Sequence, residues 1–514
     1  MKKILALLLA VLTLTGCSVG KQNYVPTGDA LDQGGLATKP VGNDTPIQSE
    51  QVLSLSYDPD GSLNPYTDTD AANRVLFSLM YQGLFCVDMY YAVSPILCKQ
   101  YSVSKDMKTY TFYLEAATFS DGSRLSASDV VASLMTAMEN PVYSGRFTQV
   151  EEITALSQDA VRIRMKIPYE DLPILLDVPI VKAETVHTAW PLGTGPYYQE
   201  RSFTGPGLVR RTDWWCRADL AATAPGISLV EMDTVAVLRD DFEFGRVSMV
   251  CADPGQDSYV DFRCDYELWA CETGVFLYLA CNEKSKVFSN AGLRAALTYA
   301  IDRDYLVSAY YGGFATAASL PCAPQSPHYN EKLAAQYRYD PEKFQQLVAS
   351  KLTAEKSVTL LVNGADSRRI RVAREIAAML EKGGFRVTVN ALTGSAYTNA
   401  LSKGNFDLHL GQTKLSPNMD LSAFFAPKGS LNFGGMSDAA AYSLCQEAMA
   451  NEGNYYTLYQ RVMTDGMLCP ILFRSYAIYG QRGLFGSLSP ARDNLFCYTL
   501  GKTMESAQIP EQTE

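Results

Sequence analysis

Residues 274–313 read GVFLYLACNEKSKVFSNAGLRAALTYAIDRDYLVSAYYGG, and this stretch decides the fold. It opens as a strand, with Phe276, Tyr278 and Ala280 on one face and Val275, Leu277 and Leu279 on the other. Both faces are apolar, the pattern of a strand inside a sheet covered on both sides. Residues 282–286 break the alternation. Ser289 is placed to cap a helix whose Leu293, Ala296, Leu297, Ala300 and Ile301 form one apolar stripe at 3.6-residue spacing. Asp302 can cap a second helical segment, which Gly312-Gly313 ends. A buried strand feeding an amphipathic helix is an α/β signature. By itself it carries no chemistry.

The same residues carry a resemblance. The strand ending in Asn, the Phe288-Ser289 pair, the helix LRAALTYAIDRDYL and the Gly-Gly exit resemble the family 5 extracytoplasmic solute-binding proteins. Those are the oligopeptide-, dipeptide- and nickel-binding receptors of bacterial ABC importers. A second run, YTFYLEAATFSDGSRLSASDVVASL at 110–134, is similar to the same family, which places an FSDG turn before a capped helix there. The resemblance implies a periplasmic-binding-protein-like clamshell of two α/β lobes plus an additional α+β domain. On that division residues 49–66, 190–273 and 476–514 form lobe I, 67–189 the additional domain, and 274–475 lobe II.

Outward from the pivot, the chain fits this plan. Before it, strands are expected over 52–57, 109–114 and 161–167, and a helix over 70–82. Ser126 and Asp129 resemble a capping box that starts a helix, and Asn140-Pro141 stops it. A strand over 227–238, a short helix over 240–246 and a strand over 247–251 complete the first part. After the pivot, strands at 358–362, 385–392 and 406–410 alternate with a helix capped by Asp366 and a helix at 397–403. That β-α-β-α-β order favours a parallel sheet. Helices near 438–450 and 455–467 precede a last strand at 471–479.

The N-terminus is a targeting segment. Lys2-Lys3 precede an apolar run, residues 4–14, too short to span a bilayer, and Leu14-Thr15-Gly16-Cys17 resembles a bacterial lipobox. Residues 1–17 are therefore expected to be a lipoprotein signal peptide with Cys17 as the lipidated residue. Residues 18–48, rich in Gly, Pro, Asp, Thr and Gln without a period, form a flexible tether. The localisation expected is extracytoplasmic, on a membrane anchor. The 514-residue chain is 47% hydrophobic, enough for several cores, and its net charge is −11. Without the two leader lysines it would be −13 (−11 − 2), which argues against nucleic acid and against a basic membrane-docking face.

Enzyme signatures fail one after another: there is no G-x-S-x-G elbow, H-E-x-x-H, Walker loop or dinucleotide fingerprint. No catalytic residue and no cofactor are expected. His187, His328 and His409 are scattered without ligand spacing, so no metal site is expected. Eleven cysteines remain after Cys17. Cys86 with Cys98 and Cys251 with Cys264 are candidate bridges, and several others suit a buried hydrophobic role. Thirty-one tyrosines, twenty-one phenylalanines and four tryptophans suit a cleft that grips solute with rings. The Trp214-Trp215 pair reads as structural.

The resemblance also implies where a ligand sits. In peptide-binding members, backbone before the first helix and a loop of the last lobe clasp the peptide as added strands. Those positions correspond to Thr69, Asp70 and Ala71 and to Gln412, Thr413 and Lys414. The family's G-W-x-x-D motif, whose Asp meets the peptide amine, is replaced by Gly411-Gln412-Thr413-Lys414-Leu415, with Asp420 as a substitute if the loop shifts. The expected function is a monomeric, lipid-anchored receptor that captures a peptide or similar small solute and delivers it to an ABC permease. An exported lipoprotein hydrolase, or a solute-sensing receptor without a permease, are the alternatives.

Overall fold

The first strand, β1 (Leu53–Tyr57), leads into two short helices, Ala71–Arg74 and Phe77–Met80. The computed structural model describes residues 53–498, apart from positions 68–70, 75, 203–204, 217, 219, 221–222, 232–233, 255–261, 352–355, 486–487, 493 and 497. One continuous helix over 70–82 is thus replaced by two, because tertiary contacts outweigh local propensity. The Asn73 amide bonds both the N–H and the carbonyl of Asp58, at 2.8 and 3.0 Å, tying the first helix to the exit of β1. Gly195 N–H takes the Met80 carbonyl at 2.9 Å, and any Cβ at Gly193 or Gly195 would strike the Met80 backbone.

A hairpin of β2 (Phe85–Val87) and β3 (Val93–Pro95) follows. Next come β4 (Cys98–Val103), β5 (Thr109–Leu114), β6 (Val150–Ser157) and β7 (Ala160–Met165), an antiparallel sheet in the order β4-β5-β7-β6. Helix Ala127–Glu139 packs on it, with the Asp129 carboxylate accepting from both the N–H and the Oγ of Ser126, at 2.9 and 2.6 Å. This is the antiparallel α+β block that the sequence predicts.

The chain then builds its main sheet. β8 (Tyr197–Ser202), β9 (Gly205–Arg210), β10 (Gly226–Glu231), β11 (Met249–Ala252) and β12 (Tyr266–Cys281) precede the pivot helices Ala291–Ala300 and Arg303–Tyr311. β13 (Ala315–Ala317), β14 (Lys356–Asn363), β15 (Phe385–Leu392), β16 (Leu408–Lys414) and β17 (Leu468–Gln481) complete it. The sheet has eleven strands in the order β15-β14-β16-β12-β17-β11-β1-β10-β9-β8, with β13 on β17. β14 runs parallel to both β15 and β16, with helices Ser367–Glu381 and Gly394–Lys403 as the crossovers. The parallel β-α-β-α-β unit is present as expected, and the architecture is the mixed α/β fold the sequence pointed to.

Several boundaries differ from expectation. β12 starts at Tyr266, eight residues before Gly274, because its N-terminal half pairs with the far end of β17 (Tyr266 opposite Gln481). Asn290, not Ser289, caps the pivot helix, its Oδ1 accepting from Gly292 and Leu293 N–H. The strand expected over 227–238 stops at Glu231, and Thr234 caps helix Val235–Glu243 by accepting from Val237 N–H at 3.2 Å. Neither candidate disulfide forms: Cys98 and Cys264 are thiols, and Cys98 Sγ donates to the Gln100 carbonyl at 3.3 Å.

Among the described strands, β12 and β17 run through both halves of this sheet. Their pairing shifts register between Glu272 and Val275. On one side of the shift β17 pairs with β11, Ala477 opposite Ala252. On the other, β12 pairs with β16, Val275 opposite Lys414, and β17 with β13, Arg474 opposite Ala315. Past the shift, Phe276, Leu277 and Leu279 are wholly buried, so β12 has apolar contacts on both faces as its sequence demands.

Candidate functional site

Beside the register shift lies a pocket that is partly open to solvent, with about 800 Å3 of non-atom space when the open solvent at its mouth is included. Four stretches of chain line it: Arg74 to Ile96 beyond β1, Tyr143 to Pro179 around the antiparallel block, Lys414, and Ala491, Arg492, Asn494 and Tyr498 near the end of the described chain. Lys414 ends β16 directly opposite Val275. Residues far apart in sequence thus meet where the two halves of the sheet join.

The lining includes the apolar and aromatic side chains of Phe77, Phe85, Val87, Ile96 and Tyr143. Gln82 is buried beside it and holds two rings together: its Nε2 donates to Tyr498 Oη at 2.7 Å, and its Oε1 accepts from Trp215 Nε1 at 2.8 Å. Trp214 donates to the Thr194 carbonyl at 3.0 Å. The tryptophan pair therefore braces the back of the cavity.

The charged side chains are mostly cationic. Among the described lining residues, Arg74, Arg146, Lys414 and Arg492 face one carboxylate, Asp177, which Arg146 holds in an ion pair. Arg492 is set with care. Its backbone is left-handed (φ 49°), a costly state for a non-glycine residue, and the residue is buried. Its N–H donates to the Glu272 carbonyl at 2.8 Å, Nη2 to the Leu415 carbonyl at 3.0 Å, and Nη1 to Tyr91 Oη at 3.4 Å. Tyr91 in turn donates to Glu272 Oε2 at 2.6 Å, and Glu272 Oε1 accepts from Gly274 N–H at 2.5 Å. Burial first, then the Glu272 carboxylate, raise the Tyr91 hydroxyl well above its ordinary pKa, so it stays a donor. Gly274 has φ +73°, and a Cβ there would stand 2.8 Å from Arg492 Nη1. That close approach requires glycine.

A second polar cluster crosses the same shift. Arg474 on β17 pairs with Asp253 at 2.5 Å and donates to Gln412 Oε1 at 2.9 Å. Its guanidinium also lies 6.0 Å from the Tyr311 ring. Burial alone would lower its pKa; the Asp253 carboxylate more than reverses this.

Of the residues singled out from sequence, Thr69 and Asp70 lie outside the described residues, and Ala71 opens the helix that ends in cavity-lining Arg74. Lys414 lines the cavity, whereas Gln412 is engaged by Arg474 and neither Gln412 nor Thr413 is among the lining residues. Asp420 is not among the lining residues: Oδ1 accepts from Ser422 N–H at 2.8 Å, and burial raises its pKa. Its loop is pinned to the antiparallel block by Asn418, which donates to Tyr169 Oη at 2.5 Å. Arg74, Arg146 and Arg492 were not predicted as site residues. Only long-range folding brings them together, and none sits in a periodic pattern or motif. His409 and His328 are packed side chains: His409 Nε2 meets Tyr397 Oη at 2.8 Å, His328 stacks on Tyr455 at 4.0 Å, and burial lowers their pKa values to about 3 and about 4.

Comparison with known proteins gives this geometry a context. Residues 92–433 match the bacterial extracellular solute-binding proteins, family 5 Middle. Residues 1–18 match the prokaryotic membrane lipoprotein lipid attachment site, which marks a membrane-anchored extracytoplasmic protein. Among the described residues no helix is long and apolar enough to cross a membrane. The glutathione-binding protein GsiB of Escherichia coli (strain K12) is 26% identical over 314 residues, 56% of this chain and 58% of the relative's own length. The ABC transporter substrate-binding protein CtaP of Listeria monocytogenes superposes with a TM-score of 0.71 at 18% identity, covering 87% of this chain and 98% of that one. The oligopeptide-binding protein AppA of Bacillus subtilis, solved with a nonapeptide, gives 0.61 at 19% identity, covering 87% and 98%.

Proposed function

The chain belongs to the bacterial extracellular solute-binding proteins of family 5, and from that premise we propose that it is the capture receptor of an ABC-type importer. It takes a peptide-sized solute into the cavity beside the register shift and hands it to a permease in the membrane. Cys17 carries the lipid that holds it there. Residues 49–66, 190–273 and 476–514 act as one lobe, 274–475 as the other, and 67–189 as an additional domain, in a monomer. The observation that supports this reading most is the cavity's position. Lys414 comes from the strand that pairs only with the second half of the sheet, while residues 74–96 and 491–498 approach from elsewhere. A solute touching both sides favours the state in which they are close, and its differential affinity supplies the energy of closure.

The test is a thermal-shift screen of the mature chain against a library of peptides, metal chelates and glycans. A ligand at a hundredfold over its Kd stabilises the folded state by about 2.7 kcal/mol, a readily measured shift. A hit should also reduce the radius of gyration in small-angle scattering. A library without a single hit, or hits that are turned over chemically, would remove the receptor reading. Cys17→Ala should leave the chain unlipidated and released.

A further inference from the structure

We infer that the contact between the antiparallel block and the chain after β16 is a pH-sensitive clasp across the cleft: it holds the two sides together while its carboxyls keep their protons, and lets them part as those protons leave. This rests on the lobe division of the receptor reading and adds a regulation to it. Asn418 Nδ2 donates to Tyr169 Oη at 2.5 Å, Glu170 N–H to the Met449 carbonyl at 2.8 Å, and Glu452 N–H to Glu170 Oε2 at 2.7 Å. Each bond joins residues 67–189 to residues 274–475. Each flank is braced from its own side. Tyr110 Oη on β5 donates to the carbonyls of Tyr169 and Glu170 at 2.6 and 3.0 Å, and Tyr455 Oη to the Asn418 carbonyl at 2.5 Å. The block itself is tied to the first lobe by buried Arg211, which donates to the carbonyl and Oγ1 of Thr118 at 2.8 and 3.0 Å. A rotation at the register shift that carries the second lobe away therefore has to break the bonds between the flanks.

The contact gathers the carboxyl groups of Glu170, Asp171 and Glu452. Tyr101, Tyr110 and Tyr169 face them from the block and Tyr455 from the second lobe; Asp420 shares Tyr169 and Tyr455 with them, with Cys445 beside it. Burial raises every one of these hydroxyls and the thiol, so they keep their protons. Among these groups rising pH thus adds only negative charge, and like charges gathered in a half-buried space repel. Burial, ahead of the neighbouring carboxylates, raises Asp171 to about 6 and Glu452 to about 7. Opening returns both to water, where they ionise in the ordinary carboxylate range. The closed arrangement therefore binds more protons than the open one. Its advantage is present in acid and is lost as pH rises through about 7. Glu170 and Glu452 reach solvent at the rim, which screens part of this effect without reversing its sign.

The experiment is amide hydrogen exchange, with small-angle scattering alongside, on the solute-free mature chain at about pH 5 and about pH 8. After correction for intrinsic exchange, protection of the segments 169–171 and 449–455 should fall by about tenfold between the two, the equivalent of one pKa unit. Protection of β12 and β17 should hold, and the radius of gyration should rise. Glu452→Gln keeps the backbone donor to Glu170 and loses the titration, so most of the pH dependence should vanish. Tyr169→Phe, the second variant, removes the Asn418 bond and should lower protection of both segments at either pH, its fold checked by β12 and β17. Protection independent of pH in the parent, or an undiminished pH dependence in Glu452→Gln, overturns the inference. So does a loss shared by β12 and β17, which would be global unfolding, or a local loss at constant radius, which would be fraying of a cleft that stays shut. No solute enters the measurement. Its failure therefore leaves the receptor reading to the library screen, and a screen without hits leaves the pH dependence of the contact to this one.

Discussion

Arg303 and Arg474 are both buried, one among the pivot helices against β17 and one on β17 itself where the two halves of the sheet meet. Among the described residues Arg303 donates to neutral groups: Nε to the carbonyls of Ala318 and Pro470, Nη1 to those of Thr298 and Ile301, and Nη2 to Thr298 Oγ1 at 2.7 Å and Cys469 Sγ at 4.0 Å. It joins the end of one helix, the start of the next and β17 into one block. Arg474 instead holds a carboxylate from just beyond β11 and an amide from β16, elements on opposite sides of the register shift. The first arrangement ties three neighbouring elements with one side chain, which favours a rigid body. The second spans both sides of the shift, so under the proposed lobe closure its bonds are the ones a joint would have to exchange.

Breaking the rigid block should have the largest effect. Arg303→Leu strands four buried carbonyl contacts and should cost about 3–5 kcal/mol, the range for removing one member of a buried polar network. Its urea midpoint should fall with an unchanged slope, and solute affinity per folded molecule should stay constant. A variant within 1 kcal/mol of the parent, on the scale of an ordinary surface change, would refute the rigid-body half of the comparison.

At the joint, Gly274→Ala places a Cβ against Arg492 and forces a left-handed backbone, at a cost of about 1–3 kcal/mol. Here affinity should suffer too, since Arg492 lines the cavity. Equal stability loss with unchanged affinity would separate the joint from the site. Asp253→Asn should be milder, about 1–2 kcal/mol, because Gln412 still accepts from Arg474. Its expected signature is a changed radius of gyration without ligand.

The smallest effect is a pH dependence where the antiparallel block meets the helices after β16. Glu170 N–H donates to the Met449 carbonyl at 2.8 Å, and Glu452 N–H to Glu170 Oε2 at 2.7 Å, so Glu170, Asp171 and Glu452 cluster. Burial, then Asp171 and Glu170, raise the Glu452 carboxyl to about 7; burial, then Glu170, raise Asp171 to about 6. Both folded-state values lie above the ordinary carboxylate range, so the folded chain binds more protons than the unfolded one. Their contribution to stability is therefore present at low pH and lost as pH rises to about 7. Glu452→Gln should melt higher than the parent at alkaline pH by under about 1 kcal/mol after solvent screening, and equal it near pH 4. The opposite slope would show that the cluster is not held together in solution.

The same contrast sets what the sequence could reveal. The β14–β16 half was legible because its signals are local: Asp366 caps its helix through Arg369 N–H, and Gly384 adopts φ +88° just before Phe385–Leu392 begins. Lys414 was reached only through a family resemblance, and Arg492 not at all. Its role depends on a left-handed turn and on partners Tyr91, Glu272 and Leu415, up to 401 positions away. No window of sequence holds that information. The early start of β12 has the same origin, since it is imposed by a remote partner, the end of β17.

The position of β17 also bears on the order in which the molecule can be completed. It is the last strand in sequence, yet it lies in the middle of the sheet, pairing with β11, β12 and β13. Tyr266 must wait for Gln481, a partner 215 residues later (481 − 266), before the centre of the sheet can close. A chain emerging from its N-terminus therefore cannot lock the core until nearly all of it has been released, and pairings this remote form slowly. For a protein destined for the far side of a membrane, such a late keystone delays closure of the core until most of the chain has been made.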